Sequence, residues 1–515
     1  MSRIAALALS AALACASAST QKRAAAAKTR DGADRVETTA APALVGLPAP
    51  ADPTVAIRLE FRSGAVDDPA GKEGLTALTA AVMAEGGTEA LGASELVRAL
   101  YPMAAELDVI VDEETVVFSG RCPRQDVERF LPILEDVVRR PRFDPREFGR
   151  LRSRAVDAVE KTLRTEDDEE LAKAALALML YDGHPYRHPP LGTVQGLKSI
   201  TLADVKAHWR RAFVKARLTV GAAGAYEGDL PERIARDLRT LPAGEVAPPV
   251  PPPSGSAPRF LLVEKETGPT PISMGFTWEV KRGDADFPAL VAAVCALGEH
   301  RNSGFRLYRE LREVRGLNYG DYAYPEHFVQ AGDSALPAVN HPRTHQEFTV
   351  WIRPVEPAHR LFAIRAALYE IDRWARQGIT QEELDRVKHF LAGYTLMFDQ
   401  TASRRLGFAL DDRFYGLGGP WLELLRTRLS ALTLDEVNGA IRRHVDPARL
   451  RIAVATHGAA ELAAAILSGA PSPISYATPK PRQVLAADAV IERFPLGVSG
   501  PADVKVVNVQ ELFER

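Results

Sequence analysis

The chain is poor in cysteine and nearly balanced in charge. Its 515 residues include only three cysteines, so a fold held together by a disulfide framework is excluded. The formal net charge is −3, and no basic cluster lies beside aromatic residues, which removes the electrostatic case for a nucleic-acid partner. Neither a G-x-S-x-G nucleophile motif nor a P-loop occurs, so the sequence offers no sign of those two chemistries.

The composition is that of an ordinary soluble globular protein. Hydrophobic residues make up 46% and charged residues 25% of the chain, and 515 residues are too many for one core, which predicts two or more domains. Two cysteines, Cys122 and Cys295, lie outside the N-terminal region. Cys295 lies in an apolar stretch at residues 287–297, which predicts a buried free thiol rather than a bridge.

The N-terminal residues have the pattern of an export signal. Arg3 precedes an apolar run at residues 4–13, which is too short for a permanent membrane span, and small residues follow through Ala18. Residues 1–18 are therefore predicted to be a signal peptide, with the protein exported to the periplasm or cell envelope. Cys15 offers an alternative, a lipid anchor. Residues 19–48, rich in Ala, Thr and charge without periodicity, predict a flexible tether.

The rest of the chain divides at a Pro-rich linker, residues 246–258, into two halves that repeat each other. A Thr-capped segment at Thr201 precedes a β-branched strand with the same spacing as a second one at Thr433. The predicted domains are residues 49–245 and 259–475, followed by a tail, residues 476–515, with a further strand at 504–509. Each half orders its strands and helices alike, with alternating strands predicted at residues 55–61 and 272–280, each before an Ala-rich helix. Residues 107–111 and 115–119 predict a hairpin. The fold class is α+β, as two homologous domains, each a mixed β-sheet with helices packed on one face.

Two segments carry a resemblance to a known family. Residues 311–319 read LREVRGLNY, and residues 74–81 read GLTALTAA, with a Gly-Gly-Thr sequence at 86–88. Together they resemble the pitrilysin/insulinase family of zinc peptidases, in which an LRExxGLxY segment in one domain faces an HxxEH helix in a homologous domain. The resemblance runs from about residue 55 to residue 455 and implies that the chain forms half of a clamshell.

The resemblance implies that the zinc site is degenerate in this chain. Two histidines one helical turn apart can bind a zinc ion, with the Glu between them as general base. Here the two His positions are Ala77 and Ala81, and the Glu position is Ala80. The residue nearest to the family's further ligand is Glu160, which without the His pair is expected to be a solvated carboxylate. We therefore expect no metal, no cofactor and no catalytic residue in this chain.

The Arg/Tyr pair is present in this chain, and Gly316 between the two residues predicts the end of the helix that carries Arg312. A guanidinium at Arg312 and a phenol at Tyr319 could bind a substrate carbonyl and stabilise the oxyanion formed during hydrolysis. In two-chain bacterial members of the family, one subunit carries HxxEH and the other the Arg and Tyr. The resemblance thus implies a substrate-binding, non-catalytic subunit that binds an extended peptide, with a homologous HxxEH-bearing partner supplying zinc.

Other readings remain open. A purely structural scaffold, like the inactive homologues in respiratory complexes, would also lack the zinc ligands. An independent metalloenzyme could use His341 and His345, although Pro342 between them predicts a loop with two exposed histidines. His184 and His188 likewise lie in irregular chain beside prolines.

Overall fold

A computed structural model describes residues 41–330, 332 and 334–515. The predicted signal peptide, the lipid anchor at Cys15 and the first part of the tether lie outside these residues. No helix in the described part of the chain is long and apolar enough to cross a membrane.

The strands form two sheets with one shared design. The five-stranded sheet has the order β1-β5-β2-β4-β3, and the six-stranded sheet has the order β11-β6-β10-β7-β9-β8. In the first sheet β1 is parallel to β5, in the second β6 is parallel to β10 and to β11, and all other pairings are antiparallel. Apart from the added β11, the two sheets share this arrangement, so the predicted duplication is confirmed. The strands are β1 Ala43–Pro48, β2 Thr54–Phe61, β3 Glu106–Val111, β4 Val116–Pro123, β5 Leu218–Gly224, β6 Phe260–Glu264, β7 Thr270–Trp278, β8 Asp321–Tyr324, β9 Gln346–Val355, β10 Arg451–Thr456 and β11 Val504–Asn508.

The helices begin where the caps predict. Thr201 and Thr433 each close a capping box, in which the threonine hydroxyl and a carboxylate three residues later satisfy the first free backbone amides. The helices are α1 Leu75–Glu85, α2 Ala93–Leu100, α3 Val127–Arg139, α4 Pro145–Asp157, α5 Asp168–Leu180, α6 Val194–Ser199, α7 Leu202–Ala212, α8 Leu230–Asp237, α9 Phe287–Leu297, α10 Arg360–Gln377, α11 Gln381–Tyr394, α12 Ala402–Phe414, α13 Trp421–Ala431, α14 Leu434–His444, α15 Ala459–Ser468 and α16 Arg482–Ile491. Two π-helical segments, Ala158–Glu166 and Tyr308–Glu313, complete the helical structure described below.

One face of each sheet is covered by a helix from the other half of the chain. Helix α5 of the first half packs against β7 and β10, where Leu176 joins a core cluster with Ala453 and Ala455. Helix α12 of the second half packs against β1, β2 and β5, where Leu406 and Leu410 are buried. The sequence predicted helices on one face of each sheet, and this exchange adds a helix from the other half. The exchange also ties the two halves together.

The ends of the described chain correct one prediction and extend another. β1, Ala43–Pro48, pairs with β5 along its whole length, so a flexible tether reaching residue 48 is wrong for these last six residues. β11 in the tail pairs with β6. After it, the backbone amides of Val194 and Gln195 donate to Phe513 and Glu514 at 3.0 and 2.9 Å, so the tail also binds the first half. Cys122 and Cys295 are buried free thiols, as predicted for Cys295.

Candidate functional site

Helix α1 presents small residues where a metal-binding helix would present ligands. Ala77 and Ala81 lie one turn apart, are half-buried and line a cavity of about 720 Å³. Ala80 points into the core of the first half and is fully buried. The helix begins at Gly74, whose φ of 97° is a left-handed conformation that favours glycine.

The residues of α1 do not fit a zinc ion. Alanine has no lone pair to donate, and Glu160 is engaged elsewhere, since its carboxylate accepts a hydrogen bond from Lys198 Nζ at 2.8 Å. Among the described residues, no group of three or more His, Cys, Asp or Glu side chains is placed to hold a metal ion. No step of hydrolysis can therefore be derived through a metal on this helix.

Arg312 lies in the π-helical segment Tyr308–Glu313, a geometry often found at functional sites. Its guanidinium carbon stands 4.6 Å from the centre of the Tyr308 ring. The helical turn ends at Gly316, which has a φ of 70° and donates its amide to Arg312 O at 2.7 Å. This is the glycine stop that the sequence predicts.

Tyr319 is held on a tight turn with its ring in solvent. The side chain is 78% exposed. On one side, Asn318 Nδ2 donates to Asp321 Oδ1 at 2.7 Å and to Arg353 O at 3.0 Å. On the other, a Cβ at Gly320 would come within 2.3 Å of the Tyr322 hydroxyl, so a larger residue would displace the Tyr322 ring. These contacts fix the backbone around an exposed phenol.

The Arg/Tyr pair and the degenerate helix do not share a cavity. Neither Arg312 nor Tyr319 lines the cavity that Ala77 and Ala81 line. The pair instead stands next to β8, an edge strand of the second sheet that begins two residues after Tyr319.

The cavity lies between the two halves of the chain and is largely apolar. Its wall comes from α1, β3 and α5 of the first half and from β9 and the segment before it in the second. Leu191 lines it and is itself 43% exposed, so the cavity reaches the surface. The apolar lining includes Ala77, Ala81, Val109, Val111, Leu163, Ala174, Leu176, Ala177, Leu180, Phe328 and Trp351.

The polar end of the cavity is built from two segments far apart in sequence. We call residues 112–114, at the turn between β3 and β4, the acidic tip, and residues 341–345 the clasp segment. Arg343 Nη2 donates to Asp112 Oδ1 at 2.9 Å and lies 3.7 Å from Glu113 Oε1. His341 Nδ1 lies 2.9 Å from Asp112 Oδ2, and Glu114 accepts from the Thr344 amide at 2.6 Å.

Burial and nearby charges shift the pKa values of two carboxyl groups in the acidic tip, Asp112 and Glu113, in opposite directions. Burial alone would raise the pKa of Asp112, but Arg343 and the His341 hydrogen bond outweigh it and hold that pKa well below its usual range. Burial raises the pKa of Glu113 well above its usual range, and repulsion from Asp112 and Glu347 adds to the effect against the attraction of Arg343. Glu113 is 2% exposed, and its Oε2 has no hydrogen-bond partner.

Sequence reasoning missed this network. The expectation of two exposed loop histidines is wrong, because His345 is 8% exposed, with Nε2 3.2 Å from Val250 O, and His341 is half-buried against Asp112. His184 is also buried, with Nε2 2.6 Å from Pro251 O. The sequence signal that could have indicated it is the run of three acidic residues at 112–114, between the two strands of the predicted hairpin.

Two family profiles match the chain in succession. The profile described as Insulinase (Peptidase family M16) matches residues 46–193, and the profile described as Peptidase M16 inactive domain matches residues 199–391. Together they span more than half of the 515 residues.

Similar proteins include members with and without a protease name. A protein of Helicobacter pylori named non-peptidase homolog YmxG is 23% identical over 403 residues, covering 78% of this chain and 88% of that protein. An uncharacterized zinc protease of Mycobacterium bovis is 27% identical over 355 residues, covering 68% and 70%.

Solved structures share the fold. The peptidase M16 inactive domain from Pseudomonas fluorescens has a TM-score of 0.72 at 23% identity, covering 81% of this chain and 96% of that one. A chain of complex III from Candida albicans has a TM-score of 0.62 at 14% identity, covering 80% and 93%.

Proposed function

The chain belongs to the insulinase family, peptidase family M16, and from this premise we propose that it is the zinc-lacking, substrate-binding subunit of an exported two-chain metallopeptidase. Its partner is a homologous chain with an intact HxxEH helix. The similarity to a protein named a non-peptidase homolog supports the absence of catalysis by this chain alone.

One observation carries the proposal. The chain has no ligand on α1, yet its second half keeps an exposed tyrosine on a rigid turn beside a sheet edge. A ring that is 78% exposed contributes little to the stability of its own fold. Asn318 and Gly320 nevertheless restrain the turn around it. A side chain that must contact a substrate held by another chain needs such a fixed position.

The chemistry assigned to this chain is binding and charge stabilisation. An extended peptide adds to a sheet edge of the pair, so that its carbonyl approaches Tyr319 and Arg312. Zinc on the partner supplies the attacking hydroxide. The phenol of Tyr319 donates a hydrogen bond to the carbonyl oxygen, and the charge of Arg312 stabilises the oxyanion as it forms.

The experiment is peptide hydrolysis by the reconstituted pair. The chain is purified alone and together with an HxxEH-bearing homologue from the same envelope, with zinc present. We expect no turnover by the chain alone and turnover by the pair. Arg312→Ala and Tyr319→Phe should each lower kcat by about 10²–10³, the cost of losing one oxyanion donor.

Matched controls separate this role from a general loss of structure. Arg309 lies on the same helical segment with a 43% exposed side chain, so Arg309→Ala should leave kcat within a factor of about two, as expected for an exposed side chain away from the reaction. Tyr101 is 86% exposed in the first half and serves in the same way as Tyr101→Phe. Zinc-dependent turnover by the chain alone, abolished by Arg312→Ala, would refute the proposal.

The second candidate is a structural scaffold. A chain of complex III shares this fold, so the architecture also occurs in a large assembly, and this observation favours a scaffold. A scaffold predicts that the pair assembles and that Arg312→Ala and Tyr319→Phe keep full activity. The same two variants therefore distinguish the two functions.

A further inference from the structure

The cavity between the halves has an apolar body and an anionic end. Six carboxyl groups line it, against three cations and three histidines, so acidic groups are the most numerous of its titratable side chains. The carboxylates are those of Glu85, Asp112, Glu113, Asp167, Glu170 and Glu347, and the cations are Arg154, Lys173 and Arg343.

Two of the three cations are already engaged. Arg154 Nη1 donates to Glu85 Oε2 at 2.7 Å, and Lys173 Nζ donates to Glu170 Oε1 at 2.5 Å. Lys173 also stands 3.7 Å from the centre of the Trp351 ring. At the polar end, Asp112 is bound by Arg343 and His341, and Glu347 lies 3.1 Å from His327 Nδ1. Glu113 has only Arg343 nearby, at 3.7 Å. A positive ligand group would supply the missing partner there, whereas a carboxylate ligand would be repelled by the acidic groups.

Glu113 supplies the acceptor for such a group. Its side chain lines the cavity, is 2% exposed and has an unpaired Oε2. A buried oxygen without a partner costs free energy that a hydrogen-bond donor on a ligand would recover. The apolar wall at Ala81, Ala177 and Trp351 suits an alkyl chain, and about 720 Å³ lies in the range of ordinary ligand pockets.

We propose that this cavity binds an alkylammonium group, with its chain against α1 and α5 and its nitrogen on Glu113. The group can come from a free primary amine or from a lysine side chain of a bound peptide. In the second case the inference rests on the proposed function and adds to it a preference for lysine-containing peptides.

Proton exchange accompanies binding. Burial raises the pKa of the Glu113 carboxyl group and so favours its protonated form before a ligand binds. When an ammonium nitrogen arrives, that proton leaves to solvent and the carboxylate accepts a hydrogen bond from the ligand. The charged and titratable groups around Glu113 are Asp68, Asp112, His327, His341, Arg343 and Glu347.

The test compares three ligands of one length by isothermal titration calorimetry on the full chain: n-hexylammonium, n-hexanol and n-hexanoate. We expect hexylammonium to bind at least tenfold more tightly than hexanoate, with hexanol between them. Glu113→Gln should weaken hexylammonium at least tenfold, since the amide is close in shape to the protonated carboxyl group but cannot ionise. Equal affinities for hexylammonium and hexanoate would overturn the inference. So would a Glu113→Gln variant that binds hexylammonium as tightly as the parent protein.

Two further variants guard against a folding defect. Ala177→Leu narrows the apolar wall on a helix that tolerates leucine and should weaken all three ligands together. Asp108→Asn removes an exposed carboxylate from β3 outside the cavity lining and should change none of them. If Ala177→Leu binds hexylammonium as the parent does, the ligand lies elsewhere and the assignment fails.

Titration of peptides distinguishes a lysine side chain from a free amine as the source of the ammonium group. It also distinguishes the cavity assignment from the proposed function. Matched peptides with lysine, norleucine or glutamate at one position are titrated into the same protein. Tighter binding of the lysine peptide, lost in Glu113→Gln, supports the peptide as the source. Binding of hexylammonium without binding of any peptide supports the cavity assignment and contradicts the proposed function. Equal binding of the three peptides without binding of hexylammonium supports the proposed function and contradicts the cavity assignment.

Discussion

Replacing Arg343 with methionine should strongly destabilise the protein, because it leaves buried carboxylates without their cation. Arg343 is 5% exposed and lies 2.9 Å from Asp112 and 3.7 Å from Glu113, each 2% exposed. Removing one member of a buried ion pair typically costs about 3–5 kcal/mol. Asp112 retains His341 at 2.9 Å, and the pKa of Glu113 already favours its neutral form, so we expect the lower end, about 3 kcal/mol.

The assay is urea unfolding at pH 7 followed by tryptophan fluorescence. The exchanged helices α5 and α12 tie the halves, so a single transition is expected whose midpoint falls while its slope stays constant. Arg353→Met is the matched control. Arg353 pairs with Glu169 at 2.8 Å, but the two side chains are 32% and 27% exposed, so its loss should cost less than about 1 kcal/mol.

A compensated variant completes the test. Combining Arg343→Met with Asp112→Asn and Glu113→Gln removes the stranded charges and should recover most of the lost stability. The reasoning is refuted if Arg343→Met costs no more than Arg353→Met, or if the triple variant is less stable than the single one.

Three further predictions follow from single side chains. Burial lowers the pKa of His208 from 6.5 to about 4. The stability that the neutral imidazole contributes is therefore complete above pH 6.5, and about 3 kcal/mol of it is lost as the pH falls towards 4. His208→Gln should flatten that part of a curve of unfolding free energy against pH, measured by urea unfolding. Asn318→Ala should release the turn around Tyr319 and lower kcat of the reconstituted pair, and it should also lower the melting temperature, because the buried Asp321 loses its hydrogen-bond donor. Burial raises the pKa of Cys122 to about 12 and that of Cys295 well above its usual range, so neither thiol should react with a thiol reagent in the native protein at pH 8, while both should react in urea.

The elements that the sequence predicted well are those whose signals are local. The capping boxes at Thr201 and Thr433 mark helix starts within three residues, and alternating apolar residues place β2 and β7 within two residues of their observed ends. Gly316 as the end of the Arg312 helical turn is a local signal as well. Because the two halves repeat, each local signal was available twice.

The parts that were missed depend on contacts between the halves. His341 meets Asp112 across 229 residues of chain, and nothing near either residue announces the other. The same holds for α5 and α12, whose apolar residues show that they are buried but not against which sheet. A hydrophobic pattern gives the buried face of a helix and leaves its partner undetermined, so the cavity between the halves could not be predicted.

The alanines of α1 have a consequence beyond the loss of zinc ligands. Histidine at positions 77 and 81 would fill space with imidazole rings and require polar partners, whereas alanine leaves an apolar face that needs none. Alanine also has the highest helix propensity, so α1 keeps its shape and its contacts with α7 and β3. The same alanines that cannot bind a metal thus keep the wall of the cavity apolar beside Glu113.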